Sequence, residues 1–150
     1  MLVIKNGDVL KATENIICHQ VNPDGVMGGG LAFAIARRYP NVLGAYKRLC
    51  EDMNYNYEDL KGLSLLVAIN ENQRIANCFS QDPNFNTDYE SLREIFKTLL
   101  YECRIDKKTI AMPYNYGCGI ANGDWNKVTE ILEELSDMYE IDINIYKLGD

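Results

Sequence analysis

The amino-acid sequence predicts an α/β domain in which helices cover both faces of a largely parallel central sheet. Short apolar segments alternate with longer segments whose apolar residues recur every three or four positions, a pattern typical of helices packed on a parallel sheet. Two predicted strands, residues 63–69 and 74–79, are joined by a short polar turn and therefore predict a hairpin. The hairpin introduces an antiparallel pair, so we expect a mixed sheet.

The N-terminal third contains two predicted strands and two predicted helices. Residues 2–5 form a short strand that stops at Asn6-Gly7, and residues 15–19 form a strand apolar enough to be central. Residues 31–39 and 42–50 are predicted helices. Pro40 separates them because proline lacks the N–H that a continuing helix needs.

The clearest predicted helix covers residues 87–103, where apolar side chains recur on one face. We expect this helix to begin with a capping box, in which the side chains of Thr87 and Glu90 each bond the other residue's backbone N–H. A strand over residues 109–112 follows, and it ends at Pro113.

The chain is predicted to close with a helix and a strand. The helix starts near Asp124, and the strand covers residues 141–148, where isoleucines alternate with polar residues and Tyr146. Because successive side chains of a strand point to opposite faces, Tyr146 is expected on the face opposite the isoleucines.

Length and composition indicate a globular domain. The 150 residues, 47% hydrophobic and 25% charged, are expected to form one domain over residues 1–150. Five dispersed cysteines without a CxxC pair argue against a disulfide framework or a zinc site and favour a reducing, cytoplasmic location. The N-terminus lacks the apolar segment of a signal peptide, and the longest apolar run, residues 65–69, is too short to span a bilayer. We therefore expect no membrane partner.

The charge of the chain limits its partners. The formal net charge is −7 and the isoelectric point is near 4.7. Duplex nucleic acid is not an expected partner, because binding it depends on neutralising phosphates with lysine and arginine. A small phosphorylated ligand is compatible with this charge, since backbone N–H groups can bind a diphosphate without basic side chains.

Two glycine-rich segments, residues 22–30 and 114–123, each follow a predicted strand and precede a predicted helix. Ligands of open α/β sheets bind beyond the carboxyl ends of the strands, so the two segments are expected to form a diphosphate site together. Gly28, Gly29 and Gly30 would let the backbone approach a ligand closely, although each glycine alone could equally serve a turn. Neither a P-loop nor a GxGxxG motif is present.

Several short motifs occur in order along the chain: Gly7-Asp8-Val9, His19-x-x-Asn22, Met27-Gly28-Gly29-Gly30-Leu31-Ala32, Arg38-Tyr39-Pro40 and Gly117-Cys118-Gly119-Ile120 before Trp125. In this order and spacing, over nearly the whole chain, they resemble the macro domain family. The resemblance is greatest to the small stand-alone branch that contains ADP-ribose-1″-phosphate phosphatases and terminal ADP-ribose protein glycohydrolases. It implies a three-layer α/β/α macro domain with a mixed central sheet.

The resemblance implies an ADP-ribose site. Asp8 would accept from the adenine amino group, Tyr146 would stack near adenine, and Asn22 would bond the distal ribose. The alternatives are turn-forming roles for Asp8 and Asn22 and a packing role for Tyr146. The implied binding residues are Gly7, Asp8, Val9, Gln20, Val21, Asn22, Met27, Gly28, Gly29, Gly30, Leu31, Ala32, Tyr116, Gly117, Cys118, Gly119, Ile120 and Tyr146. No metal or other cofactor is implied.

His19, Asn22 and Asp24 are the candidate catalytic residues. His19 has a side chain suited to acid–base chemistry near neutral pH, or it is a buried histidine bonded to a loop carbonyl. Asp24 is a candidate base or a solvated turn residue. Cys118, between two glycines, is a candidate nucleophile through its thiol. The resemblance implies instead that this position serves the site through its backbone.

The chain departs from the glycohydrolase branch at two catalytic positions. That branch has a lysine before the helix that here begins near Thr87, and an aspartate after its Gly-Cys-Gly-Ile run. This sequence has Phe79-Ser80-Gln81 and Ala121 there. A covalent lysine mechanism is therefore not expected. We expect instead that water attacks the distal ribose or a phosphate attached to it.

The predicted function is metal-independent hydrolysis of an ADP-ribose derivative, with ADP-ribose-1″-phosphate phosphatase as the nearest likeness and ADP-ribosyl hydrolase as a second form. The alternative is a reader module that binds ADP-ribose and catalyses nothing. The expected partner is ADP-ribose itself or an ADP-ribosylated macromolecule, and the protein is expected to be a monomer.

Overall fold

The computed structural model describes residues 1–119 and 121–149 and contains one six-stranded sheet. Its strands are β1 (Leu2–Asn6), β2 (Ile16–Val21), β3 (Ser64–Ala68), β4 (Arg74–Phe79), β5 (Ile110–Pro113) and β6 (Ile143–Lys147). The spatial order is β1-β6-β5-β2-β4-β3. Neighbouring strands are parallel except β3 and β4, which are antiparallel. The mixed sheet and the predicted hairpin are therefore confirmed.

Five helices surround the sheet: α1 (Gly30–Arg38), α2 (Pro40–Asp52), α3 (Tyr57–Leu60), α4 (Tyr89–Asp106) and α5 (Trp125–Tyr139). Pro40 is the first residue of α2, where its missing N–H costs nothing. Sequence patterns missed α3 and a 3-10 turn over Val9–Lys11, because neither is long enough to show an apolar period. None of the described helices has the length and hydropathy needed to cross a bilayer.

The two faces of the sheet are covered by different helices. Buried residues of α4 and α5 pack on one face, where Ile143 and Ile145 of β6 also point. Residues of α1, α2 and α3 pack on the other face, and Tyr146 lies against that second core. The predicted alternation of β6 is therefore confirmed, and the architecture has three layers.

The start of α4 differs from the prediction. Asp88 is the N-cap residue, and its carboxylate accepts from the N–H of Ser91 at 3.1 Å, from the Ser91 hydroxyl at 2.8 Å and from the Tyr57 hydroxyl at 2.9 Å. The predicted capping box of Thr87 and Glu90 is wrong. Thr87 instead donates its hydroxyl to the carbonyl oxygen of Gly117, in the second glycine-rich loop. The Thr87 side chain, which the local pattern assigned to the helix cap, is thus used in a long-range hydrogen bond instead.

The parallel arrangement brings several loops to one edge of the sheet. The five parallel strands β1, β6, β5, β2 and β4 end on the same side, so the segments that follow them are neighbours there. Because β2 and β5 are paired, the two glycine-rich loops that follow them lie side by side. This edge is where a ligand is expected in an open α/β sheet.

Replacing Asp88 tests the observed cap. Asp88→Ala should lower the free energy of unfolding by about 0.5–2 kcal/mol, because it removes the N-cap acceptor. Asp88→Asn keeps a good N-cap and should lose less. Glu90→Ala, at an exposed position, should stay within about 0.5 kcal/mol of the parent. Urea unfolding measures all three, and a larger loss from Glu90→Ala than from Asp88→Ala would restore the capping box.

Candidate functional site

Two adjoining cavities open at the carboxyl edge of the sheet. The first, called here the β2 cavity, has a volume of about 680 Å³ and is lined by the end of β2, the two glycine-rich loops, Gln81 and Phe85. The second, the β1 cavity, has a volume of about 730 Å³ and is lined by residues after β1 and at the end of β6. The linings share Gly30, Leu31, Pro113, Tyr114 and Asn115. Both volumes suit a small-molecule ligand, and one ligand could occupy both.

Helix α1 begins at the boundary between the cavities. Its N-cap is Gly29, which has no side chain to cap the helix. The Gly29 carbonyl accepts a hydrogen bond from the N–H of Phe33 at 3.2 Å. Gly30 has φ +56°, in the left-handed region that favours glycine, and a Cβ there would meet no described atom within 4 Å. The first-turn N–H groups of α1 therefore face the junction of the cavities, where the helix dipole favours an anion.

Tyr46 of α2 holds the first glycine-rich loop. This fully buried side chain donates its hydroxyl to the carbonyl oxygen of Asn22 at 2.6 Å and accepts from the N–H of Gly25 at 3.1 Å. Burial raises the pKa of Tyr46, so the phenol keeps its proton. Sequence reasoning missed this residue, because a tyrosine within a helical apolar face looks like ordinary core.

Asn22 combines the two roles that the sequence left open. Its Oδ1 accepts from the N–H of Asp24 at 3.0 Å, a turn-forming contact, and its Nδ2 donates to Oε1 of Gln81 at 3.1 Å. The half-buried side chain also lines the β2 cavity. Because the Asp24 N–H bonds Oδ1 and Gln81 accepts from Nδ2, the amide is held in one orientation at the cavity wall, with the Tyr46 hydroxyl 3.1 Å from Oδ1.

The second glycine-rich loop is closed on itself and tied to α4. The N–H of Gly123 donates to the Gly117 carbonyl at 3.0 Å, and Thr87 donates to the same oxygen. Gly117 has φ +75°, and a Cβ there would lie 2.9 Å from the Thr87 hydroxyl. A Cβ on Gly123 would collide with the Gly117 carbonyl oxygen. Both glycines are therefore required by packing within the loop.

A network of hydrogen-bonded polar side chains lies next to this loop. Gln20 donates to the Thr87 hydroxyl at 3.2 Å and accepts from Ser80 at 2.7 Å. The hydroxyls of Ser80 and Tyr116 are 2.9 Å apart; since Ser80 donates to Gln20, Tyr116 donates to Ser80. The side chains of Gln20 and Tyr116, both predicted to contact a ligand, are thus engaged in internal hydrogen bonds while they line the β2 cavity.

His19 is buried and neutral at the base of the β2 cavity. Only 2% of it is exposed, and its Nε2 lies 2.6 Å from Oδ1 of Asn77. Asn77 donates its own Nδ2 to the Leu65 carbonyl, so its oxygen faces the imidazole and Nε2 carries the proton. Burial lowers the pKa of His19 to about 4, against the opposing effect of the Asn77 hydrogen bond. Nδ1 is left as a buried acceptor without a partner among the described residues.

The remaining candidates for chemistry are less buried. Asp24 is exposed and lines the β2 cavity, where it is the one charged side chain among the described lining residues. The N–H of Cys118 donates to the Asn115 carbonyl at 2.8 Å. Burial, together with the charge of Asp124, raises the pKa of the Cys118 thiol, so its surroundings favour the thiol rather than the thiolate.

Asp8 and Tyr146 meet at the β1 cavity. Oδ1 of Asp8 accepts from the N–H of Leu10 at 2.9 Å and caps the 3-10 turn, so Asp8 is a turn residue that also lines the cavity. Tyr146 donates its hydroxyl to the buried carboxylate of Glu14 at 2.7 Å, and Lys5 is 2.9 Å from the same carboxylate. The Tyr146 ring is thereby fixed in place beside Gly7, whose Cβ position is 3.6 Å from the ring.

The structure brings most of the predicted site residues together. Those lining the β2 cavity are His19, Gln20, Val21, Asn22, Asp24, Met27, Gly28, Gly29, Gly30, Leu31, Ala32, Tyr116, Gly117 and Gly119, and those lining the β1 cavity are Gly7, Asp8, Val9, Gly30, Leu31 and Tyr146. Cys118 is in neither lining, and Ile120 lies outside the described residues. Lining residues that the sequence analysis missed include Val26, Gln81, Phe85, Tyr114 and Asn115.

Comparison with known proteins identifies the family and the fold. A family model described as Macro domain matches residues 18–132. An ADP-ribose 1″-phosphate phosphatase of Lodderomyces elongisporus is 26% identical over 144 residues, which cover 87% of this chain and 85% of the relative. A DNA ADP-ribosyl glycohydrolase of Mycobacterium tuberculosis is 39% identical over 51 residues, only 34% of this chain and 14% of that protein. The structure of Thermosipho africanus DarTG in complex with ADP-ribose matches 97% of this chain and 41% of that chain, with a TM-score of 0.79 and 19% identity.

The environment of His19 predicts a specific loss of stability in mild acid. The pKa of His19 is about 4 in the folded chain, against an ordinary value of 6.5. Between these two pH values the unfolded chain therefore binds a proton that the folded chain does not bind. Stability contributed by neutral His19 is therefore complete above pH 6.5 and falls as the pH drops towards 4, by up to about 1.4 kcal/mol per pH unit. His19→Gln cannot titrate, so its unfolding free energy should fall less steeply between pH 7 and pH 5. Parallel curves for the two proteins, measured by urea unfolding, would contradict the assigned burial.

Proposed function

The chain belongs to the macro domain family, and from this premise we propose that it binds ADP-ribose and hydrolyses an ADP-ribose derivative modified at the distal ribose. The observation that carries the proposal is the meeting of two cavities at the uncapped N-terminus of α1. A diphosphate with a large group at each end has the shape that such a site requires. ADP-ribose has that shape, and it is the ligand of the T. africanus DarTG structure.

In the proposed complex the adenosine occupies the β1 cavity. Asp8 accepts from the adenine amino group through the carboxylate oxygen that does not cap the 3-10 turn, and Tyr146 packs near the base. The diphosphate crosses the boundary of the cavities, where the N–H groups at the start of α1 donate to it. The distal ribose enters the β2 cavity beside Asn22.

The proposed reaction is attack by water either at C1″ of the distal ribose, which breaks the bond from C1″ to its substituent, or at a phosphate attached to that ribose, which breaks the P–O bond to the sugar. In both cases the departing group takes up the proton that the water loses. Asn22, fixed by Tyr46 and Gln81, orients the ribose. Neutral His19 lies at the base of this cavity with its buried Nδ1 unpaired among the described residues, and Asp24 is the one carboxylate in the described lining. Main-chain N–H groups stabilise the developing negative charge. Gln81 and Ala121 stand where the glycohydrolase branch has its lysine and aspartate, so the proposed mechanism forms no covalent intermediate.

The substrate in this proposal is ADP-ribose-1″-phosphate or an ADP-ribosylated macromolecule. The match to a phosphatase over 87% of the chain supports the former, and the shorter match to a glycohydrolase supports the latter.

A second candidate function is ADP-ribose recognition without catalysis. The observation that favours it is the state of His19, which is buried and neutral and so cannot supply a proton near pH 7. With no imidazolium, catalysis would depend on Asp24, the oriented amide and the backbone donors.

Calorimetric titration tests ADP-ribose binding. The parent protein should bind without added metal, and Asp8→Ala should weaken binding by about 1–3 kcal/mol, the cost of leaving a buried polar group without a partner. Asp137→Ala removes an exposed carboxylate on α5 and is the matched control, expected to bind like the parent. A thermal unfolding scan of free Asp8→Ala separates lost contacts from lost folding. Absence of binding by the parent would refute the proposed function.

Product assays separate the hydrolase from the reader. A hydrolase should release inorganic phosphate from ADP-ribose-1″-phosphate or free ADP-ribose from an ADP-ribosylated protein. Asn22→Ala should then lower kcat more than it lowers ADP-ribose affinity, since orientation matters chiefly in the transition state. Asn126→Ala, at an exposed position of α5, should match the parent. Binding without either product would favour the reader, and an adduct trapped by borohydride would contradict the non-covalent mechanism.

A further inference from the structure

Phe85 has a backbone conformation that is unfavourable for its side chain. Its φ is +63°, in the left-handed region where glycine and asparagine are common and a bulky residue is an outlier. The residue lies in the turn formed by residues 82–86, between β4 and α4, whose ends are joined by an antiparallel bridge of Gln81 and Thr87. Phenylalanine in this conformation makes the folded turn less stable than glycine would.

The turn is built to hold that conformation. Oδ1 of Asp82 accepts from the N–H groups of Asn84 and Asn86, each at 2.9 Å. The N–H of Phe85 donates to the Asp82 carbonyl at 3.0 Å, and the Phe85 carbonyl accepts from Asn122 at 3.3 Å. The last contact joins the 82–86 turn to the second glycine-rich loop. Both backbone polar groups of Phe85 are therefore hydrogen-bonded, which fixes the position of its main chain.

Phe85 lies at the wall of the β2 cavity. The residue lines the cavity and is 44% exposed, and its ring belongs to neither of the two apolar cores described above. Val26, in the first glycine-rich loop, is 61% exposed and lines the same cavity. The first glycine-rich loop and the 82–86 turn thus each place one exposed apolar side chain at the β2 cavity, and neither residue lines the β1 cavity.

We infer that Phe85 is a specificity-determining residue of the β2 cavity, where its ring packs against the distal ribose and the substituent that the ribose carries. This inference rests on the proposed function, which assigns the distal ribose to that cavity. The ring covers the apolar face of the sugar and excludes water from that side, so part of its exposed area is buried only when ligand is present. A ligand that ends at the diphosphate does not reach the ring.

The test compares ADP-ribose with ADP, which lacks the distal ribose. Phe85→Gly should bind ADP-ribose roughly five- to fifty-fold more weakly than the parent, the loss expected for one partly buried ring. Affinity for ADP should stay within roughly twofold, because Phe85 lines only the β2 cavity. The unfolding midpoint should not fall, since glycine adopts φ +63° without strain.

Three further variants make the result specific. Phe85→Asn retains a preference for the left-handed conformation and should show the same selective loss, which excludes a loosened turn as the cause. Phe85→Tyr keeps the ring and should bind ADP-ribose like the parent. Phe33→Ala removes a phenylalanine that is 46% exposed on α1 and lines neither cavity, and it should leave both affinities unchanged.

The outcomes distinguish the inference from the proposal beneath it. No ADP-ribose binding by the parent would overturn the proposed function, and this inference with it. Parent binding, together with unchanged ADP-ribose affinity in Phe85→Gly and Phe85→Asn, would overturn only the inference. Equal losses for ADP and ADP-ribose would also overturn it, because they would show that the ring supports the fold of the whole site.

Discussion

The N-terminus of α1 is the feature on which the rest of the site depends. A helix start leaves its first backbone N–H groups without intrahelical partners, and here Gly29 provides no side chain to cap them. The left-handed conformation of Gly30 turns the chain into the helix and leaves the Cβ position open, so a ligand can come up to the main chain. The two cavities share this boundary. The unpaired N–H groups there, rather than basic side chains, attract an anion, although the chain has a net charge of −7.

Buried hydroxyls keep the loops around this helix start in place. Tyr46 reaches the first loop from α2, on one face of the sheet, and Thr87 reaches the second loop from the start of α4, on the other face. Each hydroxyl donates to a loop carbonyl and accepts from another group, so neither leaves a polar atom unpaired. Loops rich in glycine lose much conformational entropy on folding. These long-range bonds are the contacts that oppose that loss and keep the cavity walls in one arrangement.

Local patterns in the sequence predicted the sheet, the hairpin, the main helices and the start of α5 near Asp124, because each depends on residues close together in the chain. Two of the features that failed or were missed depended on distant partners. Thr87 has the sequence position of a helix cap but bonds Gly117, thirty residues away. Burial of His19 is one of the two roles that the sequence leaves open, but its partner Asn77 is set by the register of β2 on β4. Phe85 has no local signal at all, since φ cannot be read from a single aromatic residue.

A ligand that binds across the start of α1 should contact both glycine-rich loops, and the main-chain amides there should register its binding. Titration of the ¹⁵N-labelled protein with ADP-ribose, followed by amide NMR, tests it most directly because each N–H reports separately. The largest shifts are expected at Gly29, Gly30 and Leu31, with further shifts at Gly117 and Gly119 and none on the outer surfaces of α4 and α5. Saturable shifts confined to residues outside the two cavities, with the first turn of α1 unmoved, would contradict it.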